Sequence, residues 1–194
     1  FNNQLQQIKC EPCFAGQYQE NTSATTCVQC PAGWESSNPG STKCLSCEAG
    51  LYMSVGQQLC SNCVENKYRE SKKRSNNSGA WTITDEPTDP TTCVNCPTGW
   101  VSGQGSTKCQ RCEAGKKGSE GAGSGCVICS PHQYRESYER DSDGQFLPEQ
   151  PTDPTTCVDC PAGWTSEAGS SKCQSCEAGK YSDTVLDPEN DEDC

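Results

Sequence analysis

Eighteen of the nineteen cysteines in this 194-residue chain stand in nine Cys-x-x-Cys pairs, and the nineteenth, Cys194, stands alone where a tenth pair would begin. The pairs are Cys10/Cys13, Cys27/Cys30, Cys44/Cys47, Cys60/Cys63, Cys93/Cys96, Cys109/Cys112, Cys126/Cys129, Cys157/Cys160 and Cys173/Cys176. Little else in the chain could hold a fold together. Only 20 residues are Phe, Leu, Ile or Val, and mean hydropathy is -0.83. With a net charge of -11, such a composition would otherwise belong to a disordered chain. Ordering the backbone costs roughly 1–2 kcal/mol per residue, which so few buried side chains cannot offset. A closed loop of about 15 residues is worth roughly 3 kcal/mol in the chain-entropy description of a disulfide. Eight or nine in series supply what the core lacks.

Three chemistries use Cys-x-x-Cys. Redox catalysis needs one pair at a helix N-terminus beside a βαβ pattern, and none is present. Zinc is the closer competitor, because Cys10 to Cys30 reads Cys-x2-Cys-x13-Cys-x2-Cys, a four-thiolate spacing. Zinc sites take pairs in twos, however, and nine pairs cannot be so divided. The third chemistry is a disulfide ladder. A bond inside a pair closes a tiny ring that staples nothing, so the bonds are expected to cross the intervals between pairs. The second cysteine of each pair is expected to join the first of the next: Cys13–Cys27, Cys30–Cys44, Cys47–Cys60, Cys63–Cys93, Cys96–Cys109, Cys112–Cys126, Cys129–Cys157, Cys160–Cys173 and Cys176–Cys194. This rule leaves only Cys10, whose partner would lie upstream of Phe1. Other connectivities stay open on sequence alone.

Disulfides persist in oxidising compartments, so an extracellular or cell-surface location is expected. The sequons Asn21-Thr22-Ser23 and Asn76-Asn77-Ser78 agree and make Asn21 and Asn76 the expected N-glycosylation sites. No signal peptide and no apolar run near 18 residues is present, so no direct membrane insertion is expected of this segment. The chain opens on Phe1 and stops partway through a motif, which reads as a piece of a longer mature protein or repeat array. Acidic balance, 26 Asp and Glu against 15 Lys and Arg, argues against nucleic acid as a partner.

Repeats occur at two levels. The intervals between successive pairs hold 13, 13, 12, 29, 12, 13, 27, 12 and 17 residues. A longer repeat returns Thr25–Trp34 as Thr91–Trp100 and again as Thr155–Trp164. Residues 1–24 then form the tail of a preceding unit, 25–90 and 91–154 two long units, and 155–194 a partial third. Each long unit runs from a Cys-Pro-x-Gly-Trp loop to a Cys-Glu-Ala-Gly loop. A long loop follows, opening on Tyr-Arg-Glu-Ser (Tyr68–Ser71, Tyr134–Ser137) and ending in Pro-Thr-Asp-Pro (Pro87–Pro90, Pro151–Pro154). No helical period is sustained. Turns after the second cysteine and at the Gly-Ser element predict two very short antiparallel strands per loop, tied by a bridge at the base. The Pro-Thr-Asp-Pro segments are expected to be extended. The expected fold is small and disulfide-rich: an elongated rod of tandem cysteine-rich repeats with short β-hairpins and little regular secondary structure.

Cys-x-x-Cys-Pro-x-Gly followed by Gly-Ser-x-x-Cys-x-x-Cys stands at Cys27–Cys47, Cys93–Cys112 and Cys157–Cys176, and Cys-Glu-Ala-Gly-Lys-Tyr-Ser at Cys176–Ser182. These motifs resemble the ephrin-receptor-like, growth-factor-receptor-type cysteine-rich repeats, with tumour-necrosis-factor-receptor modules as more distant relatives. The resemblance implies an elongated extracellular rod with consecutive-interval disulfides. Such modules serve as stalks, spacers and receptor ectodomains alike. The chain departs from the pattern at Trp34, Trp100 and Trp164, which follow the glycine, and in the long loops Val64–Thr92 and Ser130–Thr156. Its wording is also similar to repeats of protist surface proteins, including those of flagellar hairs and cell coats.

No catalytic constellation, cofactor motif or metal cluster is found, so no enzyme is expected. The sole histidine, His132, reads as an exposed loop residue. The acidic end (Asp183, Asp187, Glu189, Asp191, Glu192, Asp193) lacks an EF-hand spacing and reads as a solvated loop. Trp34, Trp100 and Trp164 each either cover their own disulfide or form a row of assembly contacts. Thr residues in Pro87–Thr92 and Pro151–Thr156 are candidate O-glycan acceptors. Lys43, Lys108 and Lys172 are expected to pair with Glu48, Glu113 and Glu177, setting register more than stability. The partners expected are copies of the chain or other extracellular structural proteins, in a glycosylated filament, with a receptor or adhesin ectodomain as the alternative.

Overall fold

The computed structural model describes residues 10–77, 80–143 and 145–182. No helix occurs among them, and every regular element belongs to a two-stranded sheet. Along the chain, β1 (Gln17–Tyr18) pairs with β2 (Val28–Gln29), β3 (Trp34–Glu35) with β4 (Leu45–Ser46), and β5 (Leu51–Tyr52) with β6 (Ser61–Asn62). β7 (Lys67–Tyr68) pairs with β10 (Val94–Asn95) around an inserted hairpin of β8 (Lys72–Asn77) and β9 (Ala80–Pro87). β11 (Trp100–Val101) pairs with β12 (Gln110–Arg111), and β13 (Lys116–Gly118) with β14 (Cys126–Ile128). β15 (Gln133–Tyr134) pairs with β18 (Val158–Asp159) around the inserted β16 (Tyr138–Arg140) and β17 (Phe146–Pro151), and β19 (Trp164–Thr165) pairs with β20 (Gln174–Ser175).

The cysteine spacing follows from this list. In all eight small sheets the second strand holds the two residues between the cysteines of a pair. An extended strand rises about 3.3 Å per residue, so cysteines three apart are separated by roughly 10 Å. That exceeds the roughly 7 Å that a disulfide can span. Each pair therefore faces two ways, its first cysteine closing one loop and its second opening the next. The observed bonds are Cys13–Cys27, Cys30–Cys44, Cys47–Cys60, Cys63–Cys93, Cys96–Cys109, Cys112–Cys126, Cys129–Cys157 and Cys160–Cys173. Their Cα–Cα distances lie between 5.7 and 5.9 Å. These are the pairings expected from the sequence. Cys176 is also disulfide-bonded; its expected partner, Cys194, lies outside the described residues. Cys10 is exposed and carries a free thiol.

A type II turn follows the second cysteine. The Gln17 N–H donates to the Phe14 carbonyl at 3.0 Å, with Gly16 at φ +82° in the position that requires a left-handed residue. Glycine fills the equivalent place in most loops. The exceptions are Asn66 and His132, both at φ +62°. Asn and His are among the few side chains that enter this region readily. The next cysteine in space closes the loop onto the turn: Cys30 N–H donates to the Gly16 carbonyl, and Cys160 N–H to that of His132.

The core is a column of small items, as the poor apolar supply demands. The second cysteines from Cys13 to Cys160 are buried, with Cys63, Cys96 and Cys129 fully so, and Cys176 is half-buried. Beside them, from the second loop onward, sits the residue three places after the turn glycine or its Asn66 or His132 counterpart: Ser36, Met53, Arg69, Ser102, Gly118, Arg135, Ser166 and Ser182, all buried. The carbonyl of this residue accepts the turn N–H of the preceding loop, as in Gly16 to Ser36, Gly33 to Met53, Gly115 to Arg135 and His132 to Ser166. Neighbouring loops are thus stitched by backbone hydrogen bonds as well as by sulfur.

Two compact units result. The first comprises Phe1–Val64, Tyr68–Val94 and Gln104–Thr107; the second comprises Glu65–Lys67, Asn95–Gly103 and Lys108–Cys194. Within the first, the chain approaches itself so closely that a Cβ on Gly50 would fall 2.1 Å from the Gly105 carbonyl oxygen. In the second, Gly115 and Gly169 make the same approach at 1.9 Å. At Gly105 and Gly169 the Gly-Ser element before Lys-Cys therefore does more than turn; its glycine carbonyl lies on an earlier turn.

Candidate functional site

The buried column carries polar chemistry at most positions. Where serine stands there, its hydroxyl donates to the first carbonyl of a neighbouring strand: Ser36 to Gln17, Ser102 to Lys67, Ser166 to Gln133 and Ser182 to Trp164, at 2.8 to 3.0 Å. In each loop that carries an inserted hairpin, an arginine stands there. Arg69 donates from Nε to the Leu51 carbonyl at 2.6 Å, from Nη2 to the carbonyls of Cys47 and Glu48, and from Nη1 to Thr88 Oγ1 at 3.0 Å. Arg135 donates from Nη1 to the carbonyls of Cys112, Glu113 and Lys116, and from Nε to that of Asp153 at 3.0 Å. Burial draws both guanidinium groups below the ordinary arginine value. They remain charged, because that value starts so high.

Each arginine anchors the base of its long loop. Thr88 Oγ1–H donates to the Glu70 carbonyl and Thr88 N–H to that of Ser71. Thr152 repeats both bonds with Glu136 and Ser137. One residue on, Asp89 Oδ1 accepts the N–H and the hydroxyl of Thr91, and Asp153 Oδ1 those of Thr155. These bonds hold both carboxyl groups below the ordinary aspartate value, the hydroxyl contributing most. The turn so formed aims the second proline of Pro-Thr-Asp-Pro back along its unit. Pro90 C=O accepts the Met53 N–H at 3.1 Å, and a Cβ on Gly33 would lie 2.4 Å from the proline ring. Pro154 C=O accepts the Gly118 N–H at 2.8 Å, and a Cβ on Gly99 would lie 2.8 Å from its ring. Pro-Thr-Asp-Pro is thus a strap tying a long loop to the Gly-Trp turn two loops earlier. It is a strand end followed by an Asx-turn, in place of the continuous extended segment expected.

The sequence-expected positions lie as follows. Trp34 and Trp164 face outward, 42 % and 45 % exposed. Trp100 is half-buried under the Arg111 guanidinium, 5.2 Å from the ring centroid. Asn21 is exposed on a turn, and Asn76 lies on β8 opposite Trp81. Thr88 and Thr152 spend their hydroxyls internally, while Thr92 and Thr156 are exposed. His132 is no simple loop residue; it occupies a glycine position, and its Nδ1 lies 2.9 Å from Thr165 Oγ1. The expected Lys–Glu pairs across the junctions do not form. Glu113 pairs instead with Lys116 at 3.0 Å, and Glu177 with Lys180 at 3.8 Å, because the type II turn brings residues three apart together. The acidic end lies outside the described residues. Among those described, no group of three metal-ligating side chains gathers, and of the four thiols that matched a zinc spacing Cys13, Cys27 and Cys30 are spent in disulfides, leaving Cys10 alone.

No helix among the described residues is long and apolar enough to cross a membrane. No curated protein matches the chain. The tandem disulfide-linked loops fit a growth-factor-receptor-like cysteine-rich pattern, and residues 2–47 match the family model described as tyrosine-protein kinase ephrin type A/B receptor-like.

Proposed function

We propose that this chain is part of an extracellular structural repeat protein: a glycosylated, rod-like subunit or spacer of a surface fibre, flagellar hair or cell coat, assembling with its own copies or other extracellular structural proteins. The observation that carries the reading is the strap. Arg69 with Pro90 and Arg135 with Pro154 repeat one arrangement at equivalent places, so successive units offer nearly the same surface. A binding domain would concentrate its unusual side chains in one unit. Sulfur cross-links suit a load-bearing, oxidising setting, and the Gly-Trp turns supply aromatic groups at matched positions for assembly. Electron microscopy of native material is the test. Ordered fibres or coats labelled by an antibody to this chain are expected, and free monomers alone would overturn the proposal. Small-angle scattering of the isolated chain tests the rod separately.

A receptor or adhesin ectodomain is the second reading, favoured by the receptor-like family match over residues 2–47. Its contact would lie on the long loop Ser130–Thr156. There Tyr138 and Phe146 are exposed, Arg140 stacks 3.9 Å from the Phe146 ring centre, and a hollow of about 670 Å³ opens beside them. Loss of cell-surface binding on replacing Tyr138 and Phe146 by serine would favour this reading over the fibre.

A further inference from the structure

The inserted hairpins are where the two long units depart from each other. After the same Tyr-Arg-Glu-Ser opening, the first continues Lys72-Lys73-Arg74 and the second Tyr138-Glu139-Arg140. The strap therefore has no need of Tyr138. The chain holds only three Phe and six Tyr, and the second hairpin leaves one of each at the surface. Tyr138 is 42 % exposed and Phe146 53 %. Apolar side chains this scarce, kept out of the core beside a hollow, point to a ligand.

The residues lining the hollow all lie in the second unit and among those described. Its volume of about 670 Å³ falls in the range of small-ligand sites. Tyr138 and Phe146 give it an apolar wall, and the Arg140 guanidinium lies 3.9 Å over the Phe146 ring centre. Both Glu136 carboxylate oxygens accept from Arg140 Nε, at 3.0 and 2.9 Å, which fixes the guanidinium there. Ser137, Ser171 and Lys172 complete a polar rim. Arg140 and Lys172 set two cations against the one carboxylate of Glu136, in a chain of net charge -11. Such a lining suits a ligand with a flat apolar face, hydrogen-bonding edges and a negative charge.

A peptide fits this place poorly. Extended peptides dock mainly through backbone hydrogen bonds, and the carbonyls at the hollow are already taken. That of Glu136 accepts the Thr152 hydroxyl, and that of Ser137 accepts the Thr152 N–H. A sugar ring needs neither. It presents C–H groups on its face, for which an aromatic side chain is a flat apolar partner, and hydroxyls at its edge for charged and hydroxyl side chains. We propose that this hollow binds an acidic saccharide, its ring laid against Tyr138 and Phe146 and its carboxylate at Lys172. The proposal rests on the contact surface of the ectodomain reading and names its ligand.

The test uses the whole oxidised chain, 15N-labelled, with a tetrasaccharide of alternating glucuronic acid and N-acetylglucosamine as the probe. Saturable shifts of the Ser137, Tyr138 and Phe146 amides are expected, with those of Gly16 and Cys30 in the first unit unmoved. Phe146→Ala should weaken binding on the order of tenfold, and Lys172→Gln about two- to fivefold. A neutral tetrasaccharide of N-acetylglucosamine should bind more weakly than the acidic one, and Lys172→Gln should erase that difference. Phe146 and Lys172 are both exposed, and an unshifted Gly118 amide shows that the strap survives each change. No saturable shift at millimolar probe, undiminished binding by the Phe146→Ala chain, or tighter binding of a tetraglutamate peptide would overturn the proposal. Cells separate it from the reading on which it rests. Attachment that needs Tyr138 and Phe146 yet survives enzymatic removal of surface uronates keeps the ectodomain and sinks the saccharide. Saccharide binding without any attachment keeps the site and sinks the ectodomain.

Discussion

At Arg135 a single side chain does what a hydrophobic core does elsewhere: it fills the interior and fixes which segments meet. Its donors satisfy the carbonyls of Cys112, Glu113, Lys116 and Asp153. Arg135→Met would fill much of the space but remove the charged donor from all four carbonyls, at a cost of about 2–4 kcal/mol. Hydrogen exchange of the Gly118 amide, which bonds to Pro154 at the end of the strap, checks this. Opening should become easier by that amount, and Arg135→Lys should recover only part of it, because a point charge cannot span four acceptors. The neighbouring Asp153 gives a pH dependence. Hydrogen bonds from Thr155 depress its folded pKa, so its contribution to the strap is complete above the ordinary carboxylate value of about 3.9. That contribution is lost as pH falls through the lower folded value. Amide shifts of Thr155 and Gly118 should therefore move together on acidification below about pH 4. In Asp153→Asn, which still accepts through Oδ1, this movement should vanish, and Asp89 should behave alike.

The elements show what a linear reading could and could not reach. The disulfide ladder and the paired short strands were legible, because cysteine spacing and Gly/Pro turns act through covalent and local constraints that do not depend on the rest of the fold. The buried column three residues after each turn glycine was not. Serine, methionine, glycine and arginine fill it in turn, so no hydrophobic period marks it; its common feature is a backbone carbonyl. The inserted hairpins escaped for a related reason: β8 reads Lys-Lys-Arg-Ser-Asn-Asn, with no alternation of apolar and polar residues. The one available signal was the return of Tyr-Arg-Glu-Ser and Pro-Thr-Asp-Pro at matched offsets, which marked the strap without revealing that its two ends meet. Gly118 tests the column as an element. A Cβ there would lie 2.1 Å from the Gly99 nitrogen, a backbone atom that cannot swing aside. Gly118→Ala should cost about 1–3 kcal/mol by overpacking, although alanine is smaller than the serine at Ser102. Thermal melts of the oxidised protein check the loss, and an unchanged midpoint would mean that β13 shifts freely.

For the molecule as a whole, the consequence of such construction is locality. Each loop is held by its own bridge and by hydrogen bonds to near neighbours, so stability is a sum of loop and interface terms, without one collective core. Cys160–Cys173 closes a loop whose backbone is tied to its neighbours by single hydrogen bonds: His132 N–H to Ser166, Cys160 N–H to His132, Gly169 N–H to Cys129, Arg135 N–H to Ser170, Gly163 N–H to Ser182 and Cys176 N–H to Gly163. Replacing both cysteines by serine removes roughly 3 kcal/mol of loop-closure stabilisation. Exchange should then rise at Cys160, Gly163 and Cys176, whose amides bond into this loop. It should stay unchanged at Gly115, Gly118 and Cys129, which are tied through Arg135, Pro154 and the Gly115 carbonyl. A globular protein losing one bridge of that size would show every slow amide accelerated together. Uniform acceleration here would mean that cooperativity runs through contacts other than those between adjacent loops, and that the ladder is not what divides the second unit into separable parts.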